Sequence, residues 1–303
     1  MLSVLERAGC FVAVILMGYL LRRVHFFEKE DFKVISKIVI RITLTASIVV
    51  NFSGQTLDYS TLILIPVAFC FGILMMATGY LLGRVKGREE AAFGLLNSSG
   101  CNIGNFVIPF AQSFLSPASV MAVSLFDTGN SPICLGGAYS VARSVRDTEH
   151  RFSVKPILRT LAHSAPLIAY VAMTLLGIFR ITLPSPAVNL ARIIGNANPF
   201  LAMLMLGVGF ELTADRTRIG TVLRILLPRY GIGLALSVCS YLFLPLALPV
   251  RQALAILFLS PVSSAAPAFT AEMKGDYGLA SAVNSLSILI SIVLIVTALI
   301  LIS

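Results

Sequence analysis

Apolar residues run down this chain in blocks separated by short polar or basic connections. An apolar block of roughly 17 to 25 residues makes an α-helix that crosses about 30 Å of hydrocarbon. The pattern places ten such segments, near 3–21, 34–53, 61–82, 91–115, 118–141, 157–178, 187–210, 220–245, 252–270 and 279–302. No stretch is long and polar enough to form a separate soluble domain. The chain therefore reads as one polytopic, all-α integral membrane protein.

Two of the segments are interrupted. Residues 97–110 read NSSGCNIGNFVIPF, which puts three Asn, two Gly and Pro109 inside the apolar run from Ala91 to Leu115. A buried amide without a partner costs roughly 2–7 kcal/mol, and proline leaves one helical carbonyl without its donor. Such a stretch must face protein or a water-filled cavity, because lipid satisfies neither group. The ninth segment carries SPVSSAAPAFT in the corresponding place. A single kinked helix often serves packing alone, with an interhelical Asn or Ser bond contributing about 0.6 kcal/mol. A pair of interrupted helices in matching positions points instead to a binding site near the bilayer midplane, where half-helix N-termini can hold an anion.

Five segments precede a polar linker at 142–155 and five follow it. An odd number of spans per half forces the halves into opposite orientations, so 1–141 and 156–303 are expected to be two inverted five-helix repeats.

Charge fixes the expected orientation. Arg22, Arg23, Lys29 and Lys33 follow the first segment, Arg84, Lys86 and Arg88 the third, and Arg143, Arg146, Arg151, Lys155 and Arg159 the fifth. The connections between these, NFSGQTLDYS and QSFLSPAS, carry no Lys or Arg, and FRITLPSPA and PLALPVRQ carry one each. Basic loops stay in the cytoplasm, which places both termini on the extracellular or periplasmic side of a cytoplasmic membrane. The net charge of +9 is thus a matter of topology, and nucleic acid is not an expected partner. Arg22 and Arg23 follow the first apolar block, whereas a secretory signal has its positive charges in front, so the block is expected to be retained.

Composition agrees with the class. The sequence is 57% hydrophobic and 12% charged with no Trp, and its mean hydropathy is +0.91. The five cysteines, Cys10, Cys70, Cys101, Cys134 and Cys239, lie one to a segment without a C-x-x-C pair. They read as small buried packing residues rather than a metal site or disulfide framework.

The run Asn102-Ile103-Gly104-Asn105-Phe106-Val107-Ile108-Pro109, with SPVSSAAPAF at 260–269 and GDYGLASAVNSLSILIS at 275–291, resembles the auxin efflux carrier family, which holds plant auxin exporters and bacterial permeases. Val107 stands where that family usually has a second Gly, and Thr45 where it commonly has a Pro. The resemblance implies ten transmembrane helices with broken helices four and nine crossing at the substrate. It also implies a scaffold of helices one, two, six and seven, and elevator-like movement of the rest. The site residues expected on that basis are Asn102, Asn105, Pro109, Asn130, Ser263, Ser264 and Pro267.

Other polar residues inside the segments are weighed separately. Asp127 lies deep in segment five with Asn130 one turn on, and an acid there costs about 2.5–3.5 kcal/mol on insertion scales, so it is expected to face the bundle interior. It is a candidate proton carrier or a hydrogen-bond partner of the segment-four Asn. The letters Asp127-Thr128-Gly129 match an aspartic-protease motif, but the second carboxylate that chemistry requires is missing. No serine-protease pairing is found with His163, which reads as a plain polar contact. Arg41 and Arg229 lie near enough to helix ends to snorkel, and the rival role for either is to neutralise a substrate carboxylate or Asp127. Asn189, Arg192, Asn196 and Pro199 form a polar stripe in segment seven, and Glu272, Lys274 and Asp276 read as solvated loop charges.

No phosphate-binding G-x-x-x-x-G-K-[ST] loop occurs, and no cofactor is expected. The expected function is secondary transport of a small organic anion, a mono- or dicarboxylate. The alternative is an anion channel or a transporter-derived sensor of the same fold. Membrane lipid is the other expected partner, and the oligomeric state, a homodimer included, is left open. In a cysteine-free background, Leu57→Cys should react with an impermeant thiol reagent in intact cells and Glu149→Cys should not; the opposite pattern would invert the topology.

Overall fold

The computed structural model describes residues 2–28, 30–147, 153–211 and 218–302. Lys29, Arg151 and residues 148–152 of the linker lie outside the described residues. The described chain is helical throughout, with no strand. Helices α1 (Leu2–Arg23), α2 (Asp31–Ile38), α3 (Leu44–Phe52) and α4 (Leu64–Arg84) come first, and a π-turn at Val39–Thr43 joins α2 to α3. Then follow α5 (Arg88–Ser98), α6 (Ile108–Phe114), α7 (Pro117–Pro132) and α8 (Ala138–Arg146). The second half holds α9 (Val154–Ala162), α10 (Ala165–Ile178), α11 (Ser185–Gly195), α12 (Asn198–Val208), α13 (Ile219–Phe243), α14 (Leu248–Leu257), α15 (Ala266–Glu272) and α16 (Tyr277–Ile302).

Six helical runs among the described residues are long and apolar enough to cross a membrane: Val4–Arg23, Asp31–Phe52, Tyr59–Arg84, Ser185–Val208, Ile219–Phe243 and Tyr277–Ile302. A seventh is reached if α9 and α10 count as one span, although they meet at 74°. Together these describe a multi-pass membrane protein. The segment expected as a straight span at 157–178 is thus bent, because Ser164 ends α9 and caps α10, whose second position is Pro166. The fifth segment also departs from expectation. It continues as α8 through Arg146, into the stretch read as linker, after a kink at Leu135 and at Gly136, whose φ of 140° only glycine adopts without strain.

The helices pack in two groups. One contains α1, α2, α3, α10, α11 and α12; the other contains α4 to α8 and α13 to α16, and α9 touches both, through α10 on one side and α7 with the kink before α8 on the other. Close approach inside each group depends on glycine. A Cβ on Gly207 would lie 2.0 Å from the carbonyl oxygen of Ile15 on α1, and one on Gly79 would lie 2.2 Å from that of Gly94 on α5. Backbones this close are how membrane helices gain packing energy when lipid is as apolar as the core. Outside, large apolar side chains such as Leu16, Leu20, Ile73, Leu227 and Val293 stay exposed, as a lipid-facing surface requires.

The cysteines contradict their expected burial. Cys101 is buried and Cys134 half-buried, but Cys10, Cys70 and Cys239 are on the outer surface. A lipid-facing position is as apolar as a core one, so cysteine is at ease in either.

Candidate functional site

Both interrupted segments open where the sequence placed their polar residues, and the two openings meet. Helix α5 stops at Ser98, Ser99 is extended, and Gly100 turns the chain with φ 65°, where a Cβ would come within 2.8 Å of Cys134 Sγ. Helix α14 stops at Leu257 and the chain restarts as α15 only at Ala266. Across the gap, Cys101 and Val262 form an isolated antiparallel bridge, and the Asn102 N–H donates to the Pro261 carbonyl at 2.9 Å.

That bond makes Cys101 and Val262 a non-hydrogen-bonded pair, whose own backbone groups point away from each other and need partners elsewhere. Each gets them from the helix that follows its break. Asn130 on α7 accepts from the Cys101 N–H at 3.0 Å and donates to the Cys101 carbonyl at 2.8 Å. On α16, Asn284 donates to the Val262 carbonyl at 3.0 Å and Ser287 accepts from the Val262 N–H at 3.0 Å. The two breaks are therefore held in the same way from their respective halves. Further bonds tie one broken segment to the other: Asn97 donates to Thr270 at 3.1 Å and Asn105 to Ser264 at 3.4 Å.

At the centre lies Arg229 of α13, 2% exposed. Its guanidinium donates to the Ser98 carbonyl, to that of Gly100 at 3.0 Å, and to those of Ser260 and Pro261 at 3.1 and 3.2 Å. This overturns the snorkelling reading and leaves those donors no freedom to neutralise a substrate or Asp127. The reason is electrostatic. α5 and α14 both end at the crossing, so their unpaired carbonyls and negative dipole ends converge there, and one planar cation answers both through its two terminal nitrogens, while Nε has no partner among the described residues. The N-terminal ends of the turn at Ile103–Val107 and of α15 carry the opposite polarity; at α15, Ser263 accepts from the Ala265 and Ala266 N–H groups at 3.3 and 3.1 Å.

Asp127 is buried beside this junction. It accepts from Asn130 at 2.9 Å and from the Tyr170 hydroxyl of α10 at 2.8 Å. The expected bond to a segment-four Asn is thus replaced by a link to α10, which joins the two helix groups. Gly104 permits the approach, since a Cβ there would lie 3.3 Å from Asp127 Oδ2 and 2.7 Å from Leu44. On the other side of Asn105, a network seals the groups together: Gln112 donates to Ser47 at 2.7 Å and to Asn51 at 2.8 Å.

The expected site residues thus divide. Asn102, Asn105, Asn130, Ser263 and Ser264 are brought together at the crossing. The Asn102 amide nitrogen and Asn105 amide oxygen are buried without a hydrogen-bond partner among the described residues. Ser264 and Pro267 line a cavity of about 60 Å³ with Asn284 and Arg22, enough for several waters. Pro109 lies apart, in the first turn of α6, buried beyond the π-turn at Ile103–Val107. Arg41 is exposed on the π-turn of the second segment, away from the crossing. His163 is also exposed, at the end of α9, with Nδ1 on the Arg159 carbonyl at 2.7 Å. Two of the supposed loop charges are engaged: Glu272 accepts from Tyr139 at 3.1 Å, and Asp276 pairs with Arg218 and caps α16.

Tyr170, Asn284, Ser287 and the Gln112 network were not singled out beforehand. Asn284 and Gln112 carried a usable signal, each an amide inside a largely apolar span. Comparison of the chain with protein-family models and with curated proteins finds no match.

Arg229→Met should strip the carbonyl cluster of its donors at about 1–3 kcal/mol for each buried group left unpaired. Thermal unfolding in detergent should fall sharply for Arg229→Met and less for Arg229→Lys. An unchanged midpoint in both would show that the carbonyls do not depend on this cation.

Proposed function

We infer that the chain is a secondary transporter of a small organic anion, resembling the auxin efflux carriers, with ten spans in two inverted five-helix repeats. The carrying observation is the polarity of the crossing. Arg229 takes up carbonyls from both breaks, which leaves the N-terminal end of the turn at Ile103–Val107 and the unpaired amide nitrogen of Asn102, both donors, for a solute. The matching clasps of Asn130 on Cys101 and Asn284 on Val262 are what an inverted repeat would produce. A carboxylate suits the site because it accepts from backbone N–H groups and from an amide without needing a formal countercharge.

The grouping of helices supports an elevator-like cycle, in which the group holding the crossing moves against α1, α2, α3, α10, α11 and α12. The contacts that must exchange in such a movement include the polar ones of Asp127 with Tyr170 and of Gln112 with Ser47 and Asn51, together with apolar packing such as Phe11 on Phe110. Asp127 is the candidate proton carrier in this cycle, since it lies at the boundary and its ionisation would alter the bond to Tyr170. In this reading both termini lie outside and the basic connections in the cytoplasm, which the charge asymmetry of the connections supports.

A thermal-shift screen of the purified protein against small mono- and dicarboxylates would supply the substrate, because a ligand at 100 times its Kd stabilises by about 2.7 kcal/mol. That substrate should show saturable counterflow in proteoliposomes, which a channel does not. Asn102→Ala should lower counterflow at least tenfold with the unfolding midpoint nearly unchanged; activity and stability falling together would mean that Asn102 serves packing.

Asp127→Asn separates coupling from binding, since Asn keeps the shape but cannot ionise. Uptake driven by a pH gradient should vanish while substrate-for-substrate exchange survives. Retention of both would place coupling elsewhere, and loss of both would make Asp127 structural or a substrate contact.

A further inference from the structure

A second charged feature lies away from the crossing. A cleft of about 550 Å³ opens between the π-turn that joins α2 to α3, the kink at Leu135 and the bend between α9 and α10. Lys37, Arg41, Arg159 and His163 line it, and no Asp or Glu does. Among the described residues none of the three strong cations has an acidic partner. Three uncompensated cations around one concavity repel one another, an arrangement that an anion would relieve.

The surroundings identify the kind of anion. α9 leaves α10 at 74°, so if α10 crosses the bilayer, α9 lies close to the membrane plane. Ile157 of α9 is buried while Val154 and Leu158 are exposed, and across the cleft Val34, Ile38 and Ile42 are exposed as well. Cations thus sit at the rim of an apolar, lipid-facing wall, on the face where the basic connections gather. A short amphipathic helix with Lys and Arg beside Leu and Val is the pattern of an interfacial element, and basic pockets between helices on that face hold acidic headgroups. A soluble carboxylate would make no use of the apolar flanks.

We propose that this cleft binds an acidic phospholipid, with its phosphate among Lys37, Arg41 and Arg159 and its acyl chains along Val34, Ile38, Ile42 and Leu158. The proposal rests on the membrane class and on the shared face of the basic connections, and is independent of the transport reading.

Native mass spectrometry of the full chain in detergent tests it, with phosphatidylglycerol and phosphatidylcholine of identical acyl chains as probes. Phosphatidylglycerol should be retained in preference. Each of Lys37→Ala, Arg41→Ala and Arg159→Ala should weaken that retention about fivefold. Because all three side chains are exposed and without acidic partners, the unfolding midpoints should stay near wild type. Arg84→Ala and Lys86→Ala, on the same face but outside the cleft, should change nothing. Equal retention of the two lipids, or equal losses from the control variants, would overturn the site. Displacement of the lipid by millimolar inorganic phosphate would overturn the lipid assignment in favour of a soluble anion.

Discussion

The structure depends on how a membrane protein ends two helices in its own interior. Interrupting a helix away from water strands several carbonyls and gathers the negative ends of two dipoles in one place, a cost that lipid cannot relieve. Arg229 resolves both at once, with one buried guanidinium spread over carbonyls from either break. Neither half makes this arrangement alone: without the first, Arg229 keeps only the Ser260 and Pro261 carbonyls, and without the second, the Ser98 and Gly100 carbonyls lose their donor. The two halves are thus obliged to meet, and the antiparallel bridge of Cys101 and Val262 is where they do.

From this constraint the remaining features follow in order. The bridge leaves backbone groups that Asn130, Asn284 and Ser287 satisfy, which accounts for these amides and this hydroxyl inside largely apolar helices. With the negative ends occupied, the opposite ends define the polarity of the space between them. Asn130 also holds Asp127, and Asp127 holds Tyr170 of the other helix group, so the crossing is connected to the packing boundary by two hydrogen bonds.

How much of this was legible in the sequence depended on whether a residue was out of place in hydrocarbon. NSSGCNIGNFVIPF and SPVSSAAPAFT are conspicuous in apolar runs, and both prove to be breaks in helices. Asp127 and Asn130, one turn apart, share a face as their spacing suggested and are bonded to each other, whereas the partner expected for Asp127 was a segment-four Asn. Residues that suit either lipid or protein gave no such signal. Tyr170 looks like any aromatic in an apolar helix, and the outward-facing cysteines look like buried ones. In a soluble protein the polar face of a helix would mark its orientation, but here both faces are apolar and the periodicity is lost. The destination of Arg229 was hidden for a different reason: the sequence reports its depth, whereas its role comes from carbonyls contributed by segments about 30 and 130 positions away.

The crossing itself can be tested with a residue the protein already carries. A non-hydrogen-bonded antiparallel pair has its Cα atoms about 4.5 Å apart, within the range a disulfide spans. Val262→Cys in a Cys134→Ser background should therefore form a disulfide with native Cys101 under mild oxidation, detected as two fragments that remain joined after cleavage of the chain between α8 and α9. Failure to link while the protein stays folded and both cysteines remain free thiols that a small thiol reagent titrates on unfolding would contradict the meeting of the two breaks, and with it the anion site built upon them.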